Sequence, residues 1–193
     1  LWVSTGDMAT ARRGHTATRL ADGRVLIAGG VTCCDTTGQI LSGAAEIYDP
    51  VAGSFQPAGS METARAFHAA TLLGDGRVLV TGGFVGVDGS TTASAEIYDP
   101  STGDFSPAGA MQVERGGHSA ILLTDGRVLV LGGMQASPAT DLFDPTADRW
   151  RPGPTLEPAW GASTATLLRN GRILVFGGED VLGFPVSTVI LYE

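Results

Sequence analysis

Asp22-Gly23-Arg24-Val25-Leu26-Ile27-Ala28-Gly29-Gly30 decides the fold, because the chain writes this stretch four times. It returns at 75–83, at 125–133 and at 170–178, the last copy opening on Asn170. The second glycines stand at 30, 83, 133 and 178, spaced by 53, 50 and 45 residues. A period of that length marks stacked supersecondary units. Around it lie two further repeated blocks. Ala45-Glu46-Ile47-Tyr48-Asp49-Pro50 recurs at 95–100, at 140–145 and, more weakly, at 189–193. Met61-Glu62-Thr63-Ala64-Arg65-Ala66-Phe67-His68 matches 8–15 and 111–118.

Each unit reads as four strands, a to d. In the second unit, 68–73 is strand a and Gly74-Asp75-Gly76 is a hairpin turn of the Asp-Gly type. Strand b, 77–81, is apolar on both faces, as a strand sandwiched between neighbouring sheets must be. Strand c is 95–98. Asp99-Pro100-Ser101-Thr102-Gly103 then reverses the chain, with Pro presetting φ and Gly taking the positive-φ position, and Phe105 opens strand d. Small four-stranded sheets repeated at about 50 residues predict a propeller. The glycine pair closing strand b, the aromatic after the Asp-Pro turn and the Arg-x-x-His opening strand a resemble the kelch repeat, of bacterial type. The resemblance implies an all-β propeller of about four kelch-like blades in a single domain, 1–193. Its repeats run roughly 5–55, 56–105, 106–150 and 151–193 plus 1–4. Kelch propellers serve as adaptors, surface binders and enzyme scaffolds, so the fold leaves function to be argued from the site.

Composition narrows the partners. The net charge is −8, and all 12 basic residues are Arg. With no basic stripe, nucleic acid and anionic membrane surfaces are excluded as expected partners. The longest apolar runs are far too short to span a bilayer, and no signal-peptide pattern opens the chain. The chain begins with Leu1, so it is expected to be a mature product or an excerpt of something longer. An Arg-only, Ala/Gly-rich chain fits a GC-rich bacterial genome, and the expected location is extracytoplasmic, secreted or at the cell surface. Cys33 and Cys34 are adjacent and cannot staple distant segments. Two free thiols are the default, because a bond between neighbours is strained. In an oxidising compartment a vicinal disulfide or bonds to another chain are expected instead.

The candidate site residues follow from the repeats and from where they fail. Arg12, Arg65 and Arg115 give way to Trp160 in the fourth unit, while Glu46, Glu96 and Asp141 give way to Ile190. Cation and acid vanish together, which predicts ion pairs Arg12–Glu46, Arg65–Glu96 and Arg115–Asp141, with Trp160 packing near Ile190. His15, His68 and His118 recur at one position. Equivalent positions around one axis make a three-histidine metal site conceivable, but no repeated Cys or carboxylate completes a ligand set, so a hydrogen-bonded structural role is expected. Tyr48, Tyr98 and Tyr192 share one strand-c position, and no nucleophile elbow, zinc-binding helix motif or sialidase Asp box occurs. No metal, cofactor or catalysis is therefore expected. Binding is assigned to the face carrying the b–c and d–a loops, where Phe84, Trp160 and Phe184 are candidates to contact a protein or glycan. A self-associating structural protein is the alternative, and a piece of a kelch-type enzyme a weaker one. Trp2 aligns with Phe55, Phe105 and Trp150, so residues 1–4 are expected to act as an outer strand. That strand would pair with 189–192 in the same chain or in a neighbour.

Overall fold

The computed structural model describes residues 1–35, 38–134, 137–159, 161–180 and 182–192, without the side chains of 33–35 and 38. All its regular elements are strands. The first blade spans β1 (Arg12–Arg13), β2 (Thr16–Arg19), β3 (Val25–Ala28), β4 (Val31–Asp35), β5 (Gly38–Leu41), β6 (Ala44–Asp49) and β7 (Ser54–Ser60). Its sheet is β2-β3-β6-β7, and β1-β4-β5 forms a small second sheet. Blade two is β8 (Ala69–Leu72), β9 (Val78–Thr81), β10 (Thr92–Asp99) and β11 (Asp104–Arg115). Blade three is β12 (Ser119–Leu122), β13 (Val128–Leu131), β14 (Asp141–Asp144) and β15 (Arg149–Pro152). Blade four has three strands, β16 (Thr164–Leu167), β17 (Ile173–Phe176) and β18 (Val189–Tyr192). The long b–c connection of blade one, expected as a loop, is thus largely a hairpin, with Val31 opposite Leu41 and Thr32 opposite Ile40.

Local chemistry makes these turns. In each a–b hairpin an Asp side chain accepts from the N–H two residues on: Asp22 from Arg24, Asp75 from Arg77, Asp125 from Arg127. Asn170 does the same for Arg172, which is why an amide replaces the acid there at no structural loss. Both glycines of each pair after strand b have positive φ, for example 66° and 102° at Gly29 and Gly30. A methyl on Gly29 would stand 2.6 Å from the Arg65 carbonyl, and one on Gly82 2.5 Å from that of Arg115. The pairs let each blade end against the backbone of the next.

Apolar clusters sit between successive blades. Leu26, Ala28, Ala45 and Ile47 of blade one meet Val78, Val80 and Tyr98 of blade two. Leu79, Ala95 and Ile97 meet Val128, Val130 and Phe143 of blade three. Leu129 and Leu131 meet Ile173 and Val175 of blade four. β9 and β13 are buried at every residue, which explains their apolar runs on both faces. Strand β8 lies between β2 and β12, and β12 between β8 and β16. No comparable packing returns from β16 to β2. The blades form an open arc.

This corrects the expectation of closure within one chain. Residues 1–8 form no strand, Trp2 is fully exposed, and among the described residues β18 pairs only with β17. The entering chain is held on blade one instead. Gly6 N–H donates to the Gly53 carbonyl (2.9 Å), and Thr5 Oγ1 lies 2.7 Å from the Tyr48 hydroxyl. Gly59 makes the same link to Gly103 of blade two (2.8 Å). Residues 1–6 thus occupy the approach to blade one, and the arc does not curve far enough to bring blade four to them.

Candidate functional site

The glycine pairs aim the next residue of each blade at the b–c loop face. Val31, Phe84 and Met134 hold this position in blades one to three, and all three line one cavity of about 290 Å³. Ala66 pairs with Phe84 in an isolated bridge, which brings the d–a link of blade two alongside. Phe67 follows and adopts φ 51°. Gly14, Gly117 and Ala162 hold the equivalent left-handed position in the other blades. Phe67 N–H donates to the Gly14 carbonyl (2.7 Å), and its own carbonyl accepts from Gly117 N–H (2.8 Å). Both backbone groups are therefore bonded to neighbouring blades. The rings of Phe67 and Phe84 meet edge to face, with centroids 5.9 Å apart and planes at 87°. Each leans on a position without a side chain: a methyl on Gly14 would strike the Phe67 ring, and one on Gly116 the Phe84 ring. Phe67 is 46% exposed, Met134 64% and Val87 75%, so the patch is open to solvent. Among the described residues Gln39 is the polar side chain in the lining, and none there is Asp, Glu or His.

Beneath this surface the charged repeat residues are paired. Arg65 Nη2 lies 2.8 Å from Glu96 Oε1 with both side chains buried. Its remaining N–H groups reach the carbonyls of Thr63, Gly82 and Ser94 and the Ser94 hydroxyl. Arg12 meets Glu46 at 2.7 Å, and Arg115 meets Asp141 at 3.2 Å. Each acid also accepts from a backbone N–H of the incoming link: Glu46 from Ala9, Glu96 from Glu62 and Asp141 from Gln112, at 2.7–2.8 Å. These brackets tie the d–a link to strands b and c. Burial lowers the pKa of Arg65 and of Arg115, and the facing carboxylates offset it in part.

The histidines join blades. His68 Nε2 lies 2.9 Å from Thr16 Oγ1 of blade one, and His118 Nε2 lies 2.8 Å from Thr81 Oγ1 of blade two. Thr16 faces Ala28 across its strand pair, whereas Thr81 faces Ala69. The hydroxyl has changed strands while keeping its partner. Burial, with the nearby Arg65 and Arg115 charges, lowers the pKa of His68 and of His118 to about 3, so both are neutral. Among the described residues no cluster of three or more metal-ligating side chains forms. No helix there is long and apolar enough to cross a membrane.

Residues 65–112 match the kelch motif model. The chain carries a kelch motif within an all-β propeller of kelch-like blades. The solved structure of YjhT is 15% identical to this kelch propeller and superposes with a TM-score of 0.69, over 93% of this chain and 81% of its own. It is one of 211 solved chains that resemble the fold, so the resemblance speaks for architecture alone. No curated protein matches the sequence.

The candidate residues separate on this kelch scaffold. Phe84 lines the cavity. Phe184 lies in the b–c loop of blade four, 64% exposed and outside that lining. Trp160 and the side chains of Cys33 and Cys34 lie outside the described residues, so neither the Trp160–Ile190 contact nor the cysteine pairing is placed. Ile190 itself packs against the cluster between blades three and four. Sequence reasoning missed Phe67, Met134, Val87 and Gln39. For Phe67 the signal was present, since a bulky ring stands where two aligned repeats carry glycine.

Proposed function

We propose that the propeller is a non-catalytic recognition module that takes an apolar side chain of a protein segment into the cavity lined by Phe67 and Phe84. One observation carries the reading: a bulky aromatic is held in left-handed backbone, where the fold elsewhere uses Gly14 and Gly117, and it opens onto an apolar cavity. Strain of that kind persists where surrounding structure over-determines it, and it clusters at ligand clamps. Rigid aromatics in a concave apolar patch are the usual anchors of protein recognition. A glycan would call for several convergent polar groups, whereas Gln39 is the polar side chain of the lining, so a protein segment is the better fit. A non-catalytic role is supported by the engagement of Glu46, Glu96 and Asp141 in buried brackets and by a lining with no titratable side chain among the described residues.

Selection of displayed random peptides on the immobilised chain tests this. Enriched sequences are expected to share one large apolar residue, and Phe84→Ala to weaken their binding about tenfold or more. Enrichment of peptides that bind Phe84→Ala and Phe67→Gly as tightly as the parent would refute the assignment.

A further inference from the structure

One wall of the cavity differs in kind from the others. Gln39 and Leu41 line it from β5, the last strand of the small β1-β4-β5 sheet. Among the described residues no other b–c connection is built into a pair of strands. Ser42 N–H donates to the Gly30 carbonyl (2.9 Å), and the register sets Val31 opposite Leu41 and Thr32 opposite Ile40. Antiparallel pairs alternate between bonded and unbonded, so Ile40, like Ser42, directs its backbone groups at β4. Those of Gln39 and Leu41 point the other way, along the edge. The same alternation sends the Gln39 and Leu41 side chains to the cavity and leaves Ile40 43% exposed on the reverse face.

Edge strands are commonly blunted by charge or proline. Gln39-Ile40-Leu41 carries neither. Phe67, Phe84 and Val87 form the facing wall, so a strand laid on β5, about 4.8 Å from it, would run through the cavity. Every second side chain would then face those rings. The rim adds a charge. Asp88 is exposed between Val87 and Gly89 of the lining, and its carboxylate folds over Gly86, where a methyl would strike it. Hydrogen bonds from the Ser90 hydroxyl and N–H hold its carboxyl below the usual carboxylate range, so it is ionised.

We propose that the partner is an extended peptide segment that adds to β5 as a fourth strand, its main chain bonded to Gln39 and Leu41. This rests on the reading of the cavity as the seat of an apolar side chain. Beside that side chain the segment carries Lys or Arg within reach of Asp88. A helix is the poorer occupant, because its backbone groups are already bonded to one another. So is a second copy of the chain: a stable interface takes about 20–30 residues a side, whereas β5 offers a strand of 4.

Synthetic peptides from the display selection, each N-methylated at one backbone nitrogen, test the binding mode. Alternate positions are expected to lose about tenfold in affinity, and the positions between them to bind as the parent does. In amide exchange the bound peptide is expected to slow Gln39 and Leu41 and to leave Ile40, already turned to β4, unchanged. Asp88→Asn is expected to weaken binding and to flatten its salt dependence; unchanged affinity overturns the basic residue. Binding that is lost in Phe84→Ala yet tolerates N-methylation at every position overturns the added strand and leaves the cavity reading standing. Loss over a run of consecutive positions, the mark of a helix, does the same. Binding indifferent to Phe84→Ala, or a selection that enriches no peptide, overturns both.

Discussion

Phe67 tolerates its backbone because Gly14 and Gly117 bond it on both sides. Left-handed backbone costs such a residue roughly 1–2 kcal/mol. Phe67→Gly removes that strain together with ring packing of similar size, so the unfolding free energy from urea melts should change by less than about 1 kcal/mol. A loss above about 3 kcal/mol would make Phe67 a structural plug. The brackets behave oppositely. Arg65→Ala strands Glu96 without its cation and should cost about 3–5 kcal/mol, whereas Arg77→Ala, in an exposed pair with Asp75, should cost under about 1 kcal/mol. Equal costs for the two would show that burial does not govern them. The histidines set a pH dependence. His68 and His118 titrate near 3 when folded and near 6.5 when unfolded, so the unfolded chain takes up protons first. Their contribution is complete above pH 6.5 and is lost as pH falls toward 3. Between pH 7.5 and 5 each should remove roughly 2 kcal/mol. Urea melts across that range check it, and a flat profile contradicts the buried neutral state.

Strand and turn positions were legible because each rests on short-range chemistry that repeats. The Asp-Gly turns, the Asp-Pro reversals and the doubly apolar b strands announce themselves within a few residues. Even the exception in blade three is local: Asp148 takes the left-handed position at φ 46° that Gly53 and Gly103 take elsewhere. The ion pairs were legible for another reason, since co-loss in the fourth repeat ties two distant residues together. Closure was not legible, because whether β18 meets residues 1–4 depends on how far three blade-to-blade rotations accumulate, and no single residue encodes that sum. The β4–β5 hairpin was hidden by the variable length of the b–c connections. Blade packing also ranks the elements. β9 and β13 are buried throughout, while Val189, Leu191 and Tyr192 of β18 are exposed. Amide hydrogen exchange should therefore be slowest in β9 and β13 and fastest in β18. Protection of β18 equal to β9 in a monomeric sample would contradict the open arc.

Across the whole molecule the functions divide by face. The a–b and c–d turns hold Asp22, Asp75, Asp125, Asp49, Asp99 and Asp144, each accepting hydrogen bonds within its own turn. Arg24, Arg77 and Arg127 offset three of these carboxylates in ion pairs within the same turns. The opposite face gathers Phe67, Phe84, Val87 and Met134 around one apolar cavity, on links that the buried arginine brackets hold in place. Rigid blades carrying one exposed aromatic patch are the arrangement of a binder. The direct measurement is a crystal structure of the chain with a selected peptide. The account predicts an apolar side chain of that peptide in the cavity, against the rings of Phe67 and Phe84. A peptide lodged on the acidic turn face, or on the exposed end of blade four, would contradict it.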